Sequence, residues 1–521
     1  MTRLRFALCG VLAAVAGIAA GHLLAAFLSP AASPVLAIGS TVIDLTPTPV
    51  KEWAIATFGT ADKVVLQGSV LVGTLVLAAV AGLLARRRTP FAVGLIVLLT
   101  GLAGAAALLR PAASPRDALP SVTAMVCGVV VLVLLGRLAA RAEGTPAEGT
   151  PGPRAAGMRP RADDTSRTSP RPARRRFLGG AAGVAVLSVL AAAGGQLRAG
   201  AQKAKQIVLP KPKDPARPLP QGLESTVKGI SPLRTPTEKF YRVDTNLVVP
   251  QVDVDGWTLQ VDGMVERPFT LTFAELSALP LIERDITMTC VSNEVGGGYI
   301  GAARWLGIRL TDLLDRAGVK GSPDQLLSTA VDGFTISTPL SVVRDGRDAM
   351  VAIGMNGAQL SDTHGFPARL ITPGLYGFVG ATKWLTKLTL TTYAADQAYW
   401  TKRQWATDAP IRTSARIDTP APLSTIPAGQ VAIGGVAWAQ HRGVGKVEVK
   451  VDDGPWQATK LGPDVGIDYW RQWFLPWDAQ PGLHRLSVRA TDLQGRVQDA
   501  RRATPFPSGS SGIQEVVVTV T

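Results

Sequence analysis

Only three cysteines occur in 521 residues: Cys9, Cys127 and Cys290. So few exclude a disulfide scaffold, a cysteine-rich iron–sulfur cluster and a structural zinc site made of four thiolates. Histidine is almost as scarce. His22, His364, His441 and His484 leave too few imidazoles for a multi-haem or binuclear metal centre. The covalent haem motif Cys-x-x-Cys-His is absent. Acidic residues are few in the first part of the chain: residues 1–197 carry 19 Lys and Arg against 8 Asp and Glu, the remainder 35 against 31. The overall +15 is therefore mostly a basic excess beside apolar segments, and it does not point to nucleic acid.

What is present first is apolar length. Segments near 4–28, 64–85, 91–109 and 121–140 each approach the ~20 residues that a helix needs to cross hydrocarbon. Arg3 and Arg5, then Arg86 to Arg88, then Arg137 and Arg141 fall on one side of four crossings, which marks that side as cytoplasmic. The spans hold almost no polar residues of the kind that line a transport path, His22 being the exception, and it reads as a packing or partner-facing side chain. Cys9 and Cys127 read as buried thiols.

Residues 141–176, rich in Pro, Gly, Ala, Ser, Thr and Arg, predict a disordered cytoplasmic linker. Arg174-Arg175-Arg176-Phe177-Leu178 then opens an apolar run over 177–197, a fifth span that resembles an internal twin-arginine export signal. A Pro- and Lys-rich stretch over 198–235 predicts an extended stalk. Beyond it, Thr272 is placed as an N-cap for a short helix over 271–279. Alternation over 286–290 delivers Cys290 at a strand end, and a second short helix over 310–317 stops at Gly318. Residues 236–395 thus predict a mixed α+β domain. From 396 to 521, strand-like runs at 431–438, 444–451, 471–475, 483–490 and 516–520 predict an immunoglobulin-like β-sandwich in architecture only. Its tryptophans Trp438, Trp456, Trp470, Trp473 and Trp477 suit a core and a packed interdomain or dimer surface.

The chemistry-bearing residues cluster in two places. Cys290 precedes a polar, glycine-rich loop, Val291-Ser292-Asn293-Glu294-Val295-Gly296-Gly297-Gly298. As a thiol it suits a buried structural role, a soft-metal ligand or, with a base such as His364, a nucleophile. The second group holds one imidazole and two cations, His364, Arg369 and Lys383, on glycine- and proline-rich turns that suit an anionic ligand with a phosphate.

Taken in order, Cys290-x-x-Asn293, Trp305-Leu306-Gly307-Ile308-x-Leu310-x-Asp312-Leu313-Leu314, Met355-Asn356-Gly357, His364-Gly365-Phe366-Pro367-x-Arg369, Pro373-Gly374 and Lys383-Trp384 resemble the molybdopterin-binding domain of the sulfite oxidase family. Gly435 to Trp438 and Val488 to Asp492 resemble that family's second domain. The resemblance covers roughly 240–520. It implies a single molybdopterin with Cys290 as the protein thiolate on molybdenum and the catalytic centre, and with His364, Arg369 and Lys383 on the pterin and its phosphate. It further implies that Asn293 shapes the loop, that Asn246 is a polar residue near the active site, and that Asp332 and Ser337 or Thr338 hydrogen-bond the pterin.

The departures bear on substrate. Ile353 stands where the family resemblance calls for a tyrosine, Val295 where an arginine follows the cysteine loop, and Asp244 where another arginine is expected; Arg442 could restore one charge. The implied activity is a membrane-tethered, extracytoplasmic oxidoreductase transferring an oxygen atom with two electrons on a neutral or weakly charged, sulfoxide-like substrate. Sulfite dehydrogenation is the first alternative. A cofactor-free binding or scaffold protein is the second, but that reading predicts loss of Cys290 or of the phosphate-binding set. With no haem motif in the chain, electrons are expected to pass through a separate cytochrome or a quinone-linked membrane subunit, and the sandwich is a candidate homodimer surface.

Overall fold

The computed structural model describes residues 2–58, 61–143, 171–201 and 206–521. The chain divides into two units, Met1–Lys203 with Asn246–Val248, and Ala204–Thr245 with Val249–Thr521. The linker expected over 141–176 falls mostly, at 144–170, outside the described residues.

The first unit is helical: α1 (Thr2–Leu28), α2 (Pro34–Leu45), α3 (Thr48–Phe58), α4 (Asp62–Ala85), α5 (Thr89–Leu108), α6 (Leu119–Glu143) and α7 (Arg171–Ala201). Among the described residues, five segments are long and apolar enough to cross a membrane: Arg3–Leu28, Asp62–Ala85, Thr89–Leu108, Pro115–Arg141 and Arg175–Gly195. Helices α2 and α3 are shorter and lie between the first two spans, where no long apolar run signalled them. α1 packs against α4, α6 and α7. Where α1 meets α4, backbones touch: a Cβ on Gly10 would stand 1.9 Å from the Ala78 carbonyl oxygen, and one on Gly82 2.0 Å from that of Phe6. Small residues permit that approach, which lipid-facing Leu or Val would block. His22 does serve packing, its Nδ1 lying 3.2 Å from the Ser33 hydroxyl.

In the second unit the α+β part contains β1 (Thr258–Gly263), β2 (Phe269–Thr272), α8 (Phe273–Ser277), β3 (Leu281–Thr289), β4 (Ile300–Arg309), α9 (Leu310–Ala317), β5 (Gln325–Ala330), β6 (Thr335–Pro339), α10 (Leu340–Val343), β7 (Met350–Met355), β8 (Ala358–Gln359), β9 (Arg369–Ile371), α11 (Gly377–Gly380) and β10 (Leu385–Thr391). Thr272 caps α8 as expected, and Glu275 returns the bond to the Thr272 amide in a capping box. One sheet runs β2-β1-β10-β5-β6, parallel only between β1 and β10; the other runs β3-β4-β7-β8, with β9 also on β7. A continuous apolar core joins them around Leu259, Trp305, Ile308, Met350 and Leu388.

The remainder is a two-sheet sandwich: β11 (Ser414–Thr419), β12 (Thr425–Ile426), β13 (Gly429–Trp438), β14 (Val444–Val451), β15 (Gln457–Ala458), β16 (Lys460–Leu461), β17 (Arg471–Ala479), β18 (Gly482–Asp492) and β19 (Gln514–Val520). The orders are β11-β13-β17-β16 and β12-β19-β18-β14-β15. The five strands read from alternation are all present; β11, β12, β15 and β16 carry too short or too polar a pattern to register. Trp473 lies in the sandwich core, while Trp438 and Trp470 join Val291, Ile300 and Tyr376 in a cluster shared with the α+β part.

The Pro- and Lys-rich segment before Phe240 is extended and held along the α+β part. Asp214 bridges to Ile282 in parallel and pairs with Arg284 at 2.5 Å. The Arg304 guanidinium, on Asp285 at 2.7 Å, also donates to the Arg217 carbonyl.

Trp305 ties these layers together. It is fully buried, and its indole donates to the Ile286 carbonyl at 3.2 Å. Trp305→Ala is expected to lower the stability of the second unit by about 3–5 kcal/mol, read as an earlier thermal unfolding transition of the purified chain.

Candidate active site

Cys290 follows the last residue of β3, and its amide donates to the Tyr299 carbonyl at 2.9 Å. Asn293 closes the loop. Its amide donates to the Cys290 carbonyl at 3.0 Å, and its side-chain oxygen accepts from the Tyr299 amide at 2.8 Å.

The second group converges because residues 364–385 double back. Trp384 donates to the Gly365 carbonyl, Leu385 to that of Ala368, and Leu370 to that of Thr382. Gly365, at φ 102°, makes the tightest approach: a Cβ there would stand 2.9 Å from the Lys383 Cβ. His364, Arg369 at the start of β9, and Lys383 just before β10 are thereby gathered. Beneath them, Phe240 stands edge-on to both Trp305 and His364 at 5.7 and 5.6 Å, and the Arg369 guanidinium lies 5.2 Å from the Trp305 ring.

The electrostatics show one neighbourhood. Burial raises the Cys290 thiol above its ordinary value, opposed by hydrogen bonds from Ser292 and by the Lys383 charge. Burial lowers Lys383 to about 8, although its ammonium pairs with Asp244 at 2.7 Å and Asp244 also takes Arg242 at 2.8 Å. Burial likewise lowers Arg369 to about 10. His364 is held at about 4, by burial first and then by the Arg369 and Lys383 charges, against a 3.0 Å hydrogen bond from Nε2 to the Thr237 carbonyl. The ring is therefore neutral at pH 7, with Nε2 carrying the proton and Nδ1 left as its acceptor.

Arg369 is the unusual member. Its residue is 5% exposed, one terminal nitrogen donates to the His364 carbonyl at 3.2 Å, and its buried Nε has no partner among the described residues. A buried guanidinium held only by a carbonyl and an indole face is ready for an anion.

The other expected residues lie elsewhere or are engaged. The Thr338 hydroxyl donates to the Val379 carbonyl at 2.7 Å, and Ser337 bonds Gln325. Asp332 closes the β5–β6 turn, accepting from the Phe334 amide at 3.0 Å. Asn246 groups with the helical unit, outside the body that holds Cys290. Arg442, which could restore one charge, lies within electrostatic reach of Tyr376. Its guanidinium is fixed on Asp492 at 3.2 Å and on the Ile411 carbonyl and Thr413 hydroxyl. Ile353 packs in the apolar core.

Tyrosine is not missing from the site, as the substitution at Ile353 suggested. Tyr241 feels the charges of both Cys290 and Arg369, and its phenol is raised by burial. Tyr376, raised by burial to about 12, also feels Cys290. The sequence signal that could have found Tyr241 is Phe240-Tyr241-Arg242, two aromatics and a cation just before Asp244.

A family model described as "Oxidoreductase molybdopterin binding domain" matches residues 246–400. "Uncharacterized oxidoreductase YuiH" of Bacillus subtilis is 32% identical over 162 residues, covering 31% of this chain and 79% of that protein. The chain belongs to the molybdopterin-binding oxidoreductases. Human mitochondrial sulfite oxidase is 29% identical over 306 residues, 49% of this chain and 55% of that protein. The chain spans 52% of the length of the sulfite oxidase from Drosophila melanogaster and 68% of that from Gallus gallus. The sulfane dehydrogenase SoxCD of Paracoccus pantotrophus aligns in structure at a TM-score of 0.49 and 23% identity, over 57% of this chain and 85% of that one.

The residues present fit the cofactor of this family. Among the described residues no cluster of three or more His, Cys, Asp or Glu could hold a metal ion. A metal at Cys290 would therefore draw its remaining ligands from a non-protein group, as a dithiolene does. The partnerless Arg369 Nε and the Lys383 ammonium match the anionic character of a pterin phosphate.

Neutral His364 makes stability pH-dependent. The unfolded imidazole takes its proton near 6.5 and the folded one only near 4, so stability is full above 6.5 and falls as pH drops towards 4. The difference corresponds to about 3 kcal/mol. Unfolding free energies measured across that window should show the slope in the wild type and a flatter one in His364→Gln.

Proposed function

We propose that the second unit is a molybdopterin-dependent oxidoreductase that exchanges an oxygen atom with a neutral, sulfoxide-like substrate on the extracytoplasmic side of a membrane. When bound, the molybdenum cofactor supplies two-electron oxygen-atom exchange, restored in single-electron steps. In this reading Cys290 is the protein's thiolate ligand. Arg369 and Lys383 bind the cofactor's anionic part, and neutral His364 offers Nδ1 as an acceptor to an N–H donor. Electrons come from a separate one-electron partner, a cytochrome or a quinone-linked subunit. The five apolar helices and the cytoplasmic side marked by Arg86 to Arg88 support the placement.

The observation that carries the choice of substrate is Asp244. With Lys383 given to the cofactor, a carboxylate that also holds Arg242 removes the other nearby positive charge that a small dianion would need. With Arg442 fixed on Asp492 and Val295 uncharged, Arg369 is the cation of the group that has no carboxylate partner among the described residues. Tyr241, half-buried between the influence of Cys290 and Arg369, can orient a polar S=O group without adding charge.

The test is molybdenum and pterin content of the chain purified from a host that makes the cofactor, followed by turnover of neutral sulfoxides and of sulfite. Wild type is expected to hold stoichiometric metal, and Cys290→Ser an altered metal spectrum with activity lost. A folded wild type without metal or pterin, beside a positive-control molybdoenzyme, would point to the scaffold reading. Asp244→Asn should raise kcat/KM for sulfite relative to sulfoxide by about tenfold; an unchanged ratio removes charge as the basis of selection.

A further inference from the structure

The loop that carries Cys290 is gripped from outside its own domain. Before the cysteine, β3 is held at Thr287: its amide donates to the Asp468 carbonyl at 2.9 Å, and its hydroxyl accepts from the Trp470 amide at 2.9 Å. The Gln440 amide nitrogen then donates to the Thr289 hydroxyl at 3.0 Å, one residue before Cys290. After the cysteine, the Ser510 hydroxyl donates to the Asn293 carbonyl at 2.6 Å, and the Arg416 guanidinium to the Gly297 carbonyl at 2.9 Å. Asp468, Trp470, Gln440, Ser510 and Arg416 all belong to the sandwich part of the chain, 396–521.

Two features make this more than incidental packing. Gln440 is fully buried, and it sits on the turn that leaves β13, where His441 takes a left-handed backbone conformation at φ 60°. Its amide nitrogen is directed at the residue before the thiol, while its buried side-chain oxygen has no partner among the described residues, so the donor bond is what holds the side chain there. Glycines at 296–298 give the loop little stiffness of its own, so carbonyl anchors at Asn293 and Gly297 restrict a segment that would otherwise sample many conformations.

We propose that the sandwich is a clamp that sets the position of the Cys290 sulfur, with Gln440 and Ser510 as positioning residues on either side of it. The assignment deepens the proposed function, since the thiol it positions is the one read there as the metal ligand. The clamp restricts local opening of the 290–298 loop and holds the thiol in its buried place. On this view the sandwich contributes to the site by holding the ligand-bearing loop, whether or not it also joins two copies of the chain.

The test reads the thiol directly. The full chain is purified from a host unable to make molybdopterin, and alkylation of Cys290 by iodoacetamide is followed by peptide mass spectrometry, with Cys9 and Cys127 as internal references. Removing the Ser510 anchor in Ser510→Ala or the Gln440 anchor in Gln440→Met should speed Cys290 alkylation about fivefold, and Ser510→Thr, which keeps the hydroxyl, should restore the wild-type rate. Val518→Ala trims the sandwich core on β19, where Val518 pairs with His484. It should lower the unfolding temperature and leave the Cys290 rate unchanged. The clamp is overturned if both anchor variants fold and react at the wild-type rate, or if Val518→Ala accelerates Cys290 as much as they do. Because the protein is free of cofactor, the outcome is independent of metal content. Faster alkylation in the anchor variants, beside a wild type that never acquires molybdenum, would keep the clamp and sink the proposed function.

Discussion

A guanidinium buried without a carboxylate is the constraint around which the site is built. Arg369 lies on the Trp305 face with its Nε unbonded among the described residues, while Lys383 shares Asp244 with Arg242. Folding a cation into that environment is unfavourable unless a negative group completes it. The surrounding residues keep the charge from being relieved in other ways. His364 is neutral and donates away from the group to Thr237, and Asp244 is already shared by two cations. An anionic cofactor would supply what the protein withholds, which links the site's stability to its loading.

That arrangement needs three chain segments to meet. Cys290 arrives at the end of β3, Arg369 at the start of β9 and Lys383 at the entry to β10, on two different sheets. The core around Trp305 and Met350 fixes the sheets, and the doubled-back path from Gly365 to Leu385 brings the cations together. The sandwich then reaches the cysteine loop through side chains far away in sequence. The partition of labour is physical: the α+β part supplies the charged groups, and the second domain limits the motion of the loop that supplies sulfur.

Charge partners around the thiol bear on which substrate the site admits. Ile353 suggested that a tyrosine had been lost, yet Tyr241 and Tyr376 both lie within electrostatic reach of Cys290. Arg442 looked available and is fixed on Asp492. Asp244 stands where the resemblance places an arginine, and it also pairs with two cations that remain. Two phenols therefore stand near the thiol, beside a carboxylate that is shared by a lysine and an arginine.

What the sequence determined by itself are the features with short-range causes. Apolar length and flanking arginines marked five spans, Thr272 and Glu275 marked a helix start, and alternation marked five sandwich strands. Cys290, His364, Arg369 and Lys383 were legible because each sits in a compact box of residues that keep a fixed local spacing. Tertiary structure decided the rest. Which carboxylate a lysine meets, which arginine stays without one and which tyrosine approaches a thiol depend on folding that local pattern does not encode. Ser510 lies 217 residues from the Asn293 it holds. No spacing rule spans that distance, and only the packing of one domain on the other brings the two together.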